Sequence, residues 1–423
     1  MKILTFAIGS RGDVEPGLIV SAALRDRGHD VRLVAPSDQI HWIERSGVSA
    51  VALPQGAKSV LNSADVQDSV RRSGFVTQAM TMISKIKHET AAAIHRVDDA
   101  AEGADAILSI HPGVAIPAAV AAARRIPLLT ISLSPCMPTR RFAFPAVTRH
   151  QLGPATPLTY KVPFNQLFRS VRPIVNAYRA RNGLAPVNRS HLVDIVERDR
   201  PAAIAWSRHL LPMPDDYGAG AFQAGAINAP TDLRDATGCG GPDAALLEWI
   251  RAGDAPVFLS FGSMFVADIP RTIDAVQTAL ATLGLRGVFV AGWSDLPEGP
   301  VGNLYCVRQI DHQRLFPLCR VAVHHGGAGT THAALRTGIP SLVTAFMFDQ
   351  SFWGRHLARL GVGDHMVFKA LTAETLAAKL APLLEPAVTL RARRIGEALR
   401  REDGLAAIVR YTEETLPSTP PPD

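Results

Sequence analysis

The chain has 423 residues, 47% of them hydrophobic, which suffices for two cores of ordinary domain size. Lys and Arg number 44 against 38 Asp and Glu, for a formal net charge of +6. That mild excess, with no nucleic-acid-binding module present, argues against a nucleic-acid partner and leaves an anionic substrate or peripheral contact with a membrane surface open.

The four cysteines, Cys136, Cys239, Cys306 and Cys319, are scattered and form no CxxC pair. They suggest neither a zinc site nor a disulfide framework, and reduced thiols in the cytoplasm are expected. No uncharged run is long enough to span a bilayer, and MKILTFAIGS reads as strand and turn rather than a secretory leader.

Residues 3–8 form a short apolar run expected as a buried strand, followed by the tight turn Gly9-Ser10-Arg11-Gly12-Asp13. A helix is predicted over 16–27, with Gly28 as its stop. A strand at 31–35, a helix near 38–46 and a strand at 48–53 complete one half of a parallel, doubly wound sheet. Residues 54–72 read as polar and irregular. Residues 75–101 read as one or two helices, with Met80, Met82 and Ile83 on an apolar stripe. A strand at 106–110, a helix at 114–124 and a strand at 128–133 follow.

From 134 to about 200 the pattern breaks. Proline is dense and Phe142, Phe144, Tyr160, Phe164, Phe168 and Tyr178 are interleaved, which suits either a long irregular binding segment or a surface helical excursion with structural aromatics. Residues 202–206 read as the last strand of a first domain spanning 1–215. A Pro-, Gly- and Asp-rich stretch, 216–241, is the expected linker.

The second domain is expected over 242–395, with a final helix at 396–416 and a disordered tail at 417–423. A strand at 257–261 runs into the turn Gly262-Ser263-Met264. A helix at 271–283 and strands at 288–291, 305–307 and 321–323 follow. The last strand leads into His324-His325-Gly326-Gly327-Ala328-Gly329-Thr330-Thr331. An alanine-rich helix comes next, closed by Gly338 and Pro340. A strand at 341–345 then runs to Phe348-Asp349-Gln350. Helices are expected at 350–360, 373–384 and 387–415.

Strand, glycine turn and helix in this order make a seat for phosphate. Glycine lets backbone approach a ligand, and a helix start offers unpaired N–H groups with a partial positive charge. Asp13, in the turn after the first strand, is a carboxylate able to take a proton from a hydroxyl, and equally a residue that caps a helix. Asp349 and Gln350 pair a carboxylate with an amide, which suits a polyol offering both donors and acceptors.

HHGGAGTT followed by FDQ resembles the donor-site signature of the nucleotide-sugar glycosyltransferases with two facing Rossmann-like domains, the GT-B fold of family 1. The likeness is greatest to the bacterial natural-product, sterol and glycolipid branch, and it covers nearly the whole chain. It implies an α/β protein with two doubly wound domains facing across a cleft and a C-terminal helix crossing back to the first. Asp13 matches the position of the catalytic base, which is His in many members and Asp in the sterol and glycopeptide branch. Ser10 would hold Asp13 or bind the acceptor. His111 lies near the place where His-using relatives keep the acidic partner of their base.

His325 matches the histidine that donates to the donor phosphate, with Gly327, Ala328, Gly329 and Thr330 adding backbone and hydroxyl donors. His324 reads as a structural hydrogen-bonder. Gly262 and Ser263 match a second phosphate-contacting turn, and Asp349 and Gln350 the pair that binds the sugar. The place where plant members carry a Trp that stacks on the nucleotide base falls near Val307 or Arg308, with Gln309, a donor-side candidate, next. Trp293 is either a donor contact or a packing residue. Pro135, Met137 and Phe142 fall in a block resembling the acceptor loop.

The implied reaction is inverting and needs neither metal nor cofactor, the co-substrate being a UDP- or dTDP-linked sugar. The implied acceptor is a hydrophobic hydroxylated molecule such as a polyketide, glycopeptide, sterol or glycolipid. A lipid-linked cell-envelope transferase and a sugar-nucleotide epimerase or hydrolase on the same fold remain alternatives, and a monomer or a homodimer is expected.

Overall fold

The computed structural model describes residues 1–72, 75–111, 113–148, 150–238, 240–264, 266, 268–292, 296 and 298–418. The chain forms two compact units, Met1–Leu233 with Asp403–Asp423, and Arg234–Glu402.

In the first unit seven strands form one sheet. They are β1 (Lys2–Phe6), β2 (Asp30–Pro36), β3 (Ser49–Leu53), β4 (Ala106–Ile110), β5 (Leu128–Ser132), β6 (Ala202–Ile204) and β7 (Ala221–Gln223). Their order is β3-β2-β1-β4-β5-β6-β7, and every pairing is parallel. The runs ILTF, AILSI and LLTIS are apolar almost throughout because helices cover both faces of a parallel sheet. From β1 the chain winds outward to β2 and β3, then returns to place β4 on the other side of β1. The switch point where ligands of such sheets bind therefore lies at the carboxyl ends of β1 and β4.

The second unit repeats this plan with β8 (Val257–Ser260), β9 (Gly287–Val290), β10 (Gly299–Val301), β11 (Leu304–Val307), β12 (Val321–His324), β13 (Ser341–Ala345) and β14 (Gly363–Val367). The order is β10-β11-β9-β8-β12-β13-β14, with only the β10–β11 pair antiparallel. Its switch point lies at the carboxyl ends of β8 and β12.

Three expectations change, and the choice between loop and helix in the proline-dense stretch falls to the helix. Residues 54–72 carry helices Ala57–Leu61 and Ala64–Arg72, the first held by Asp38, whose carboxylate accepts from the Ala57 and Lys58 N–H groups at 3.0 and 2.8 Å. The proline-dense stretch contains one long helix, Leu158–Arg181, with Pro163 and Pro173 inside it. Prolines ordinarily break a helix. Here Tyr160, Phe164, Phe168, Val175 and Tyr178 form a buried stripe at helical spacing, and that burial prevails.

Residues 216–241, expected as a linker, supply β7 of the first sheet and a helix at Thr231–Ala236. A three-residue strand is too short to show a period. The helix expected at 387–415 is two helices, Pro386–Arg400 and Gly404–Thr415, and the Asp403 carboxylate caps the second by accepting from Ala406 N at 3.0 Å. Pro417 and Ser418 end a short 3-10 turn, and 419–423 of the expected tail lie outside the described residues.

The last helix is part of the first unit's core. Ala407, Ile408, Val409 and Leu416 join Val14, Leu18 and Ile110 in one buried cluster. Glu413 accepts hydrogen bonds from Arg27 at 2.8 and 2.9 Å and lies 3.0 Å from His29 Nε2, and the Tyr411 hydroxyl donates to Gly220 O at 2.8 Å. Ile408 is fully buried. Ile408→Ala leaves a cavity and is expected to destabilise the first unit by about 2–5 kcal/mol, read as a lower denaturation midpoint for that unit.

Candidate functional site

The turn after β1 is shaped around a carboxylate. Helix Arg11–Asp26 begins with Ser10 as its N-cap, so Asp13 stands in its first turn. Asp13 Oδ2 accepts from Ser10 N at 2.8 Å and from Ser10 Oγ at 2.9 Å. Asp13 thus caps the helix, as one of its two readings expects, and sits part-exposed at the switch point. Gly9 makes room for it. Its φ is +117°, and a Cβ there would lie 2.4 Å from Asp13 Oδ2. Gln39, which the sequence did not single out, donates Nε2–H to Gly9 O at 2.8 Å and braces the turn.

His111 follows β4 at the same switch point. It is 8% exposed, its Nε2 has no hydrogen-bond partner, and burial pushes its pKa down to about 4. Gly113 beside it has no Cβ, and a Cβ there would meet Ile8 at 2.6 Å, so the loops after β1 and β4 lie against each other.

Of the expected acceptor residues, Phe142 is half-buried and its carbonyl accepts from the Tyr160 hydroxyl at 3.1 Å. Pro135 is buried. Met137 is 1% exposed, and its carbonyl accepts from Tyr217 at 3.3 Å. The loop that carries them is fastened by Asp216, which accepts from Thr139 Oγ1 at 2.6 Å and from Arg140 N at 2.7 Å.

In the second unit the turns after β8 and β12 interlock around one ring. His325 is wedged between two glycines. A Cβ on Gly262 would meet its Cε1 at 2.9 Å, and a Cβ on Gly327 its Nε2 at 2.6 Å. Gly262 also has a φ of +60°. His325 Nδ1 is sealed and has no partner, and burial of the ring lowers the pKa to about 4. At neutral pH it is an uncharged imidazole.

His324 behaves as its structural reading requires. It is fully buried, its Nδ1 accepts from Gly326 N at 3.0 Å, and its pKa falls to about 3, mainly through burial. Gly327 N-caps helix Ala328–Thr337 with no side-chain cap. The first N–H groups of that helix, at Ala328, Gly329 and Thr330, thus have no side-chain cap, and a helix start of this kind favours an anion. Ser263 is half-exposed in the turn after β8.

After β13 the chain turns through Phe348, a non-glycine residue at φ +52°. Such a conformation is strained and needs support. Gln350 provides it, since its Oε1 accepts from Phe346 N at 2.7 Å and Met347 N at 3.0 Å. Asp349 is fixed by Trp353, which donates Nε1–H to Oδ2 at 2.9 Å. Trp353 is fully buried and meets His332 edge-on at 5.4 Å, and His332 Nδ1 lies 2.7 Å from Ala328 O. These contacts join the Asp349 carboxylate to the first turn of helix Ala328–Thr337. The sequence signal for Trp353 was its spacing of four from Asp349 at a helix start. Gln309 is exposed in the loop after β11. Trp293 and Cys239 lie outside the described residues. Cys136, Cys306 and Cys319 are buried and form no disulfide among the described residues.

Residues 3–139 match the model of the glycosyltransferase family 28 N-terminal domain, and residues 293–406 match the erythromycin biosynthesis protein CIII-like C-terminal domain. An uncharacterized glycosyltransferase of Mycobacterium tuberculosis is 30% identical over 425 residues, covering 98% of both chains. This chain is a family 1 glycosyltransferase of the GT-B fold.

The transferase is also 30% identical to the O-mycaminosyltylonolide 6-deoxyallosyltransferase of Streptomyces fradiae, over 96% of its own length and 95% of the relative's. It is 28% identical to two sterol 3-beta-glucosyltransferases of Arabidopsis thaliana, of whose lengths it spans 68% and 66%. Among solved structures the glycotransferase of kitacinnamycin matches 98% of this chain and 99% of its own, with a TM-score of 0.71 at 19% identity. The glycosyltransferase SsfS6 of Streptomyces sp. SF2575, solved with thymidine diphosphate, matches 98% of this chain and 100% of its own with a TM-score of 0.61 at 18% identity.

Two outcomes follow for the transferase. Gly262→Ala drives a methyl into the His325 ring at a strained φ. It should weaken nucleoside diphosphate binding about tenfold, given strain of roughly 1–3 kcal/mol, with an unchanged circular dichroism spectrum.

The second concerns pH. His111, His324, His325 and His332 have folded pKa values of about 4, 3, 4 and 4, against 6.5 for a free histidine. Between these values the unfolded chain binds more protons than the folded one. Their contribution to stability is thus complete above about 6.5 and is lost as pH falls to about 4. Urea midpoints measured across this range should decline with falling pH.

Proposed function

We propose that the protein is an inverting, metal-independent glycosyltransferase that moves a sugar from a UDP- or dTDP-linked donor to a hydroxyl of an apolar acceptor, such as a polyketide, glycopeptide, sterol or glycolipid. The observation that carries this reading is the neutral His325 ring held between Gly262 and Gly327 beside an uncapped helix start. That group of preformed donors is suited to a diphosphate leaving with growing negative charge.

Asp13, in the first unit, serves the nucleophile. Its carboxylate takes the proton of the acceptor hydroxyl as the oxygen attacks the anomeric carbon. His325, in the second unit, serves the leaving group. As the new C–O bond forms, the bond to the diphosphate breaks, and its charge is taken up by His325 and by the N–H groups of Ala328, Gly329 and Thr330. Gly262 and Ser263 contribute a second turn toward the phosphates. A single displacement from the face opposite the diphosphate inverts the anomeric centre. Positioned N–H donors supply the charge stabilisation that a metal clamp supplies elsewhere, and the nucleotide sugar is a co-substrate rather than a cofactor.

Asp349, oriented by Trp353, binds sugar hydroxyls. Gln350 contributes its amide N–H groups and holds the turn with its oxygen. Gln309 lies toward the nucleotide base. Ser10 positions Asp13, and His111 with Phe142, Pro135 and Met137 belongs to the acceptor side. The enzyme works in the cytoplasm, as a monomer or a homodimer, which its buried thiols suit.

A donor-by-acceptor screen read by mass spectrometry tests this. Asp13→Asn should lower kcat by about 10²–10⁴-fold with donor affinity retained, as expected for loss of a general base. Transfer unchanged in that variant would remove Asp13 from the mechanism, and donor consumed without acceptor would favour a hydrolase or epimerase.

A further inference from the structure

Between Asp105 and Asp194 the chain contains no acidic residue and eleven Arg and Lys, while the remainder is net acidic. Large apolar side chains are exposed in the middle of this run. Val147, Leu152, Leu158 and Val162 are 46%, 49%, 53% and 60% exposed, and among the described residues only Val367 and Leu390 are comparable. Single exposed apolar residues are ordinary, but four within sixteen positions of a basic segment are not.

The local structure fixes these side chains outward. Leu158 and Val162 are one turn apart on helix Leu158–Arg181, whose opposite stripe of Tyr160, Phe164 and Phe168 is buried. The preceding loop is tied down onto the start of that helix. Phe144 N donates to Thr159 Oγ1 at 2.8 Å, the Tyr160 hydroxyl to Phe142 O at 3.1 Å, and Leu152 N to Thr156 Oγ1 at 3.0 Å. Arg124, Arg141, Lys161 and Arg189 are neutralised by Asp98, Asp215 and Glu197. Arg140 and Arg169 are exposed and have no ion pair among the described residues. Arg169 falls three turns beyond Leu158, on the same helix face.

Apolar side chains flanked by unpaired arginines match the boundary of an anionic bilayer, where hydrocarbon lies just beneath negative headgroups. We propose that this face of the first unit is an interfacial docking surface for an anionic lipid membrane. The inference rests on the reading that the acceptor is apolar. The same loop carries Phe142, so a membrane-dissolved acceptor would be met where its binding residues lie.

The test is co-sedimentation of the full chain with vesicles of phosphatidylcholine alone and of phosphatidylcholine with phosphatidylglycerol. Retention is expected on the anionic vesicles, weaker at high salt. Leu158→Ser combined with Val162→Ser should reduce it by about tenfold or more, given the apolar area withdrawn from lipid. Arg140→Gln combined with Arg169→Gln should also reduce it. Transfer to a short water-soluble acceptor should be unchanged in both variants.

No retention, or retention indifferent to these substitutions, overturns the proposal. So does self-association in sedimentation velocity that the Leu158→Ser, Val162→Ser variant abolishes, which would assign the face to a second copy. Vesicle binding with no transfer to any acceptor would instead sink the catalytic reading while the surface stands.

Discussion

The imidazole of His325 fills space that Gly262 and Gly327 leave empty. No other residue type at either glycine leaves that space, because any Cβ would lie under 3 Å from a ring atom. The ring in turn depends on where β8 and β12 end, since those neighbouring parallel strands bring the two turns together. Buried and neutral, it can donate one hydrogen bond without carrying a charge that the interior would have to solvate. Most of what distinguishes the second unit from a plain doubly wound domain converges on this contact.

The first unit solves the matching problem differently. There the Asp13 carboxylate stands in the first turn of the helix after β1 and closes a capping box by accepting from the Ser10 N–H and hydroxyl. A helix N-terminus left bare favours incoming negative charge, and one capped by its own carboxylate presents a hydrogen-bond acceptor. The difference lies in a few residues at the end of β1 and β12 and not in the architecture.

Much of this was readable from the chain. The strands β1 to β5, β8, β9 and β11 to β13 announced themselves as short apolar runs between glycine turns, and the HHGGAGTT segment marked the turn after β12. The rest was hidden for identifiable reasons. β7 is three residues long and flanked by glycines, so it has no period to detect. The helix Leu158–Arg181 contradicts its own prolines, because only tertiary burial of its aromatic stripe outweighs their local preference. The roles of Trp353 and of the Gln350 oxygen depend on side-chain hydrogen bonds, which motif spacing does not encode. The strained backbone at Phe348 was likewise invisible, since nothing in Phe signals a left-handed residue.

The helix Gly404–Thr415 belongs to the first unit although it follows the second in the chain. Anyone recombining halves of such enzymes to trade acceptors would meet this at once. A single splice near residue 234 grafts a foreign terminus onto the first unit, stripping Ile408 and Val409 from its interior and Glu413 from Arg27. A workable hybrid needs two crossovers, with the closing segment inherited from the same parent as the opening one.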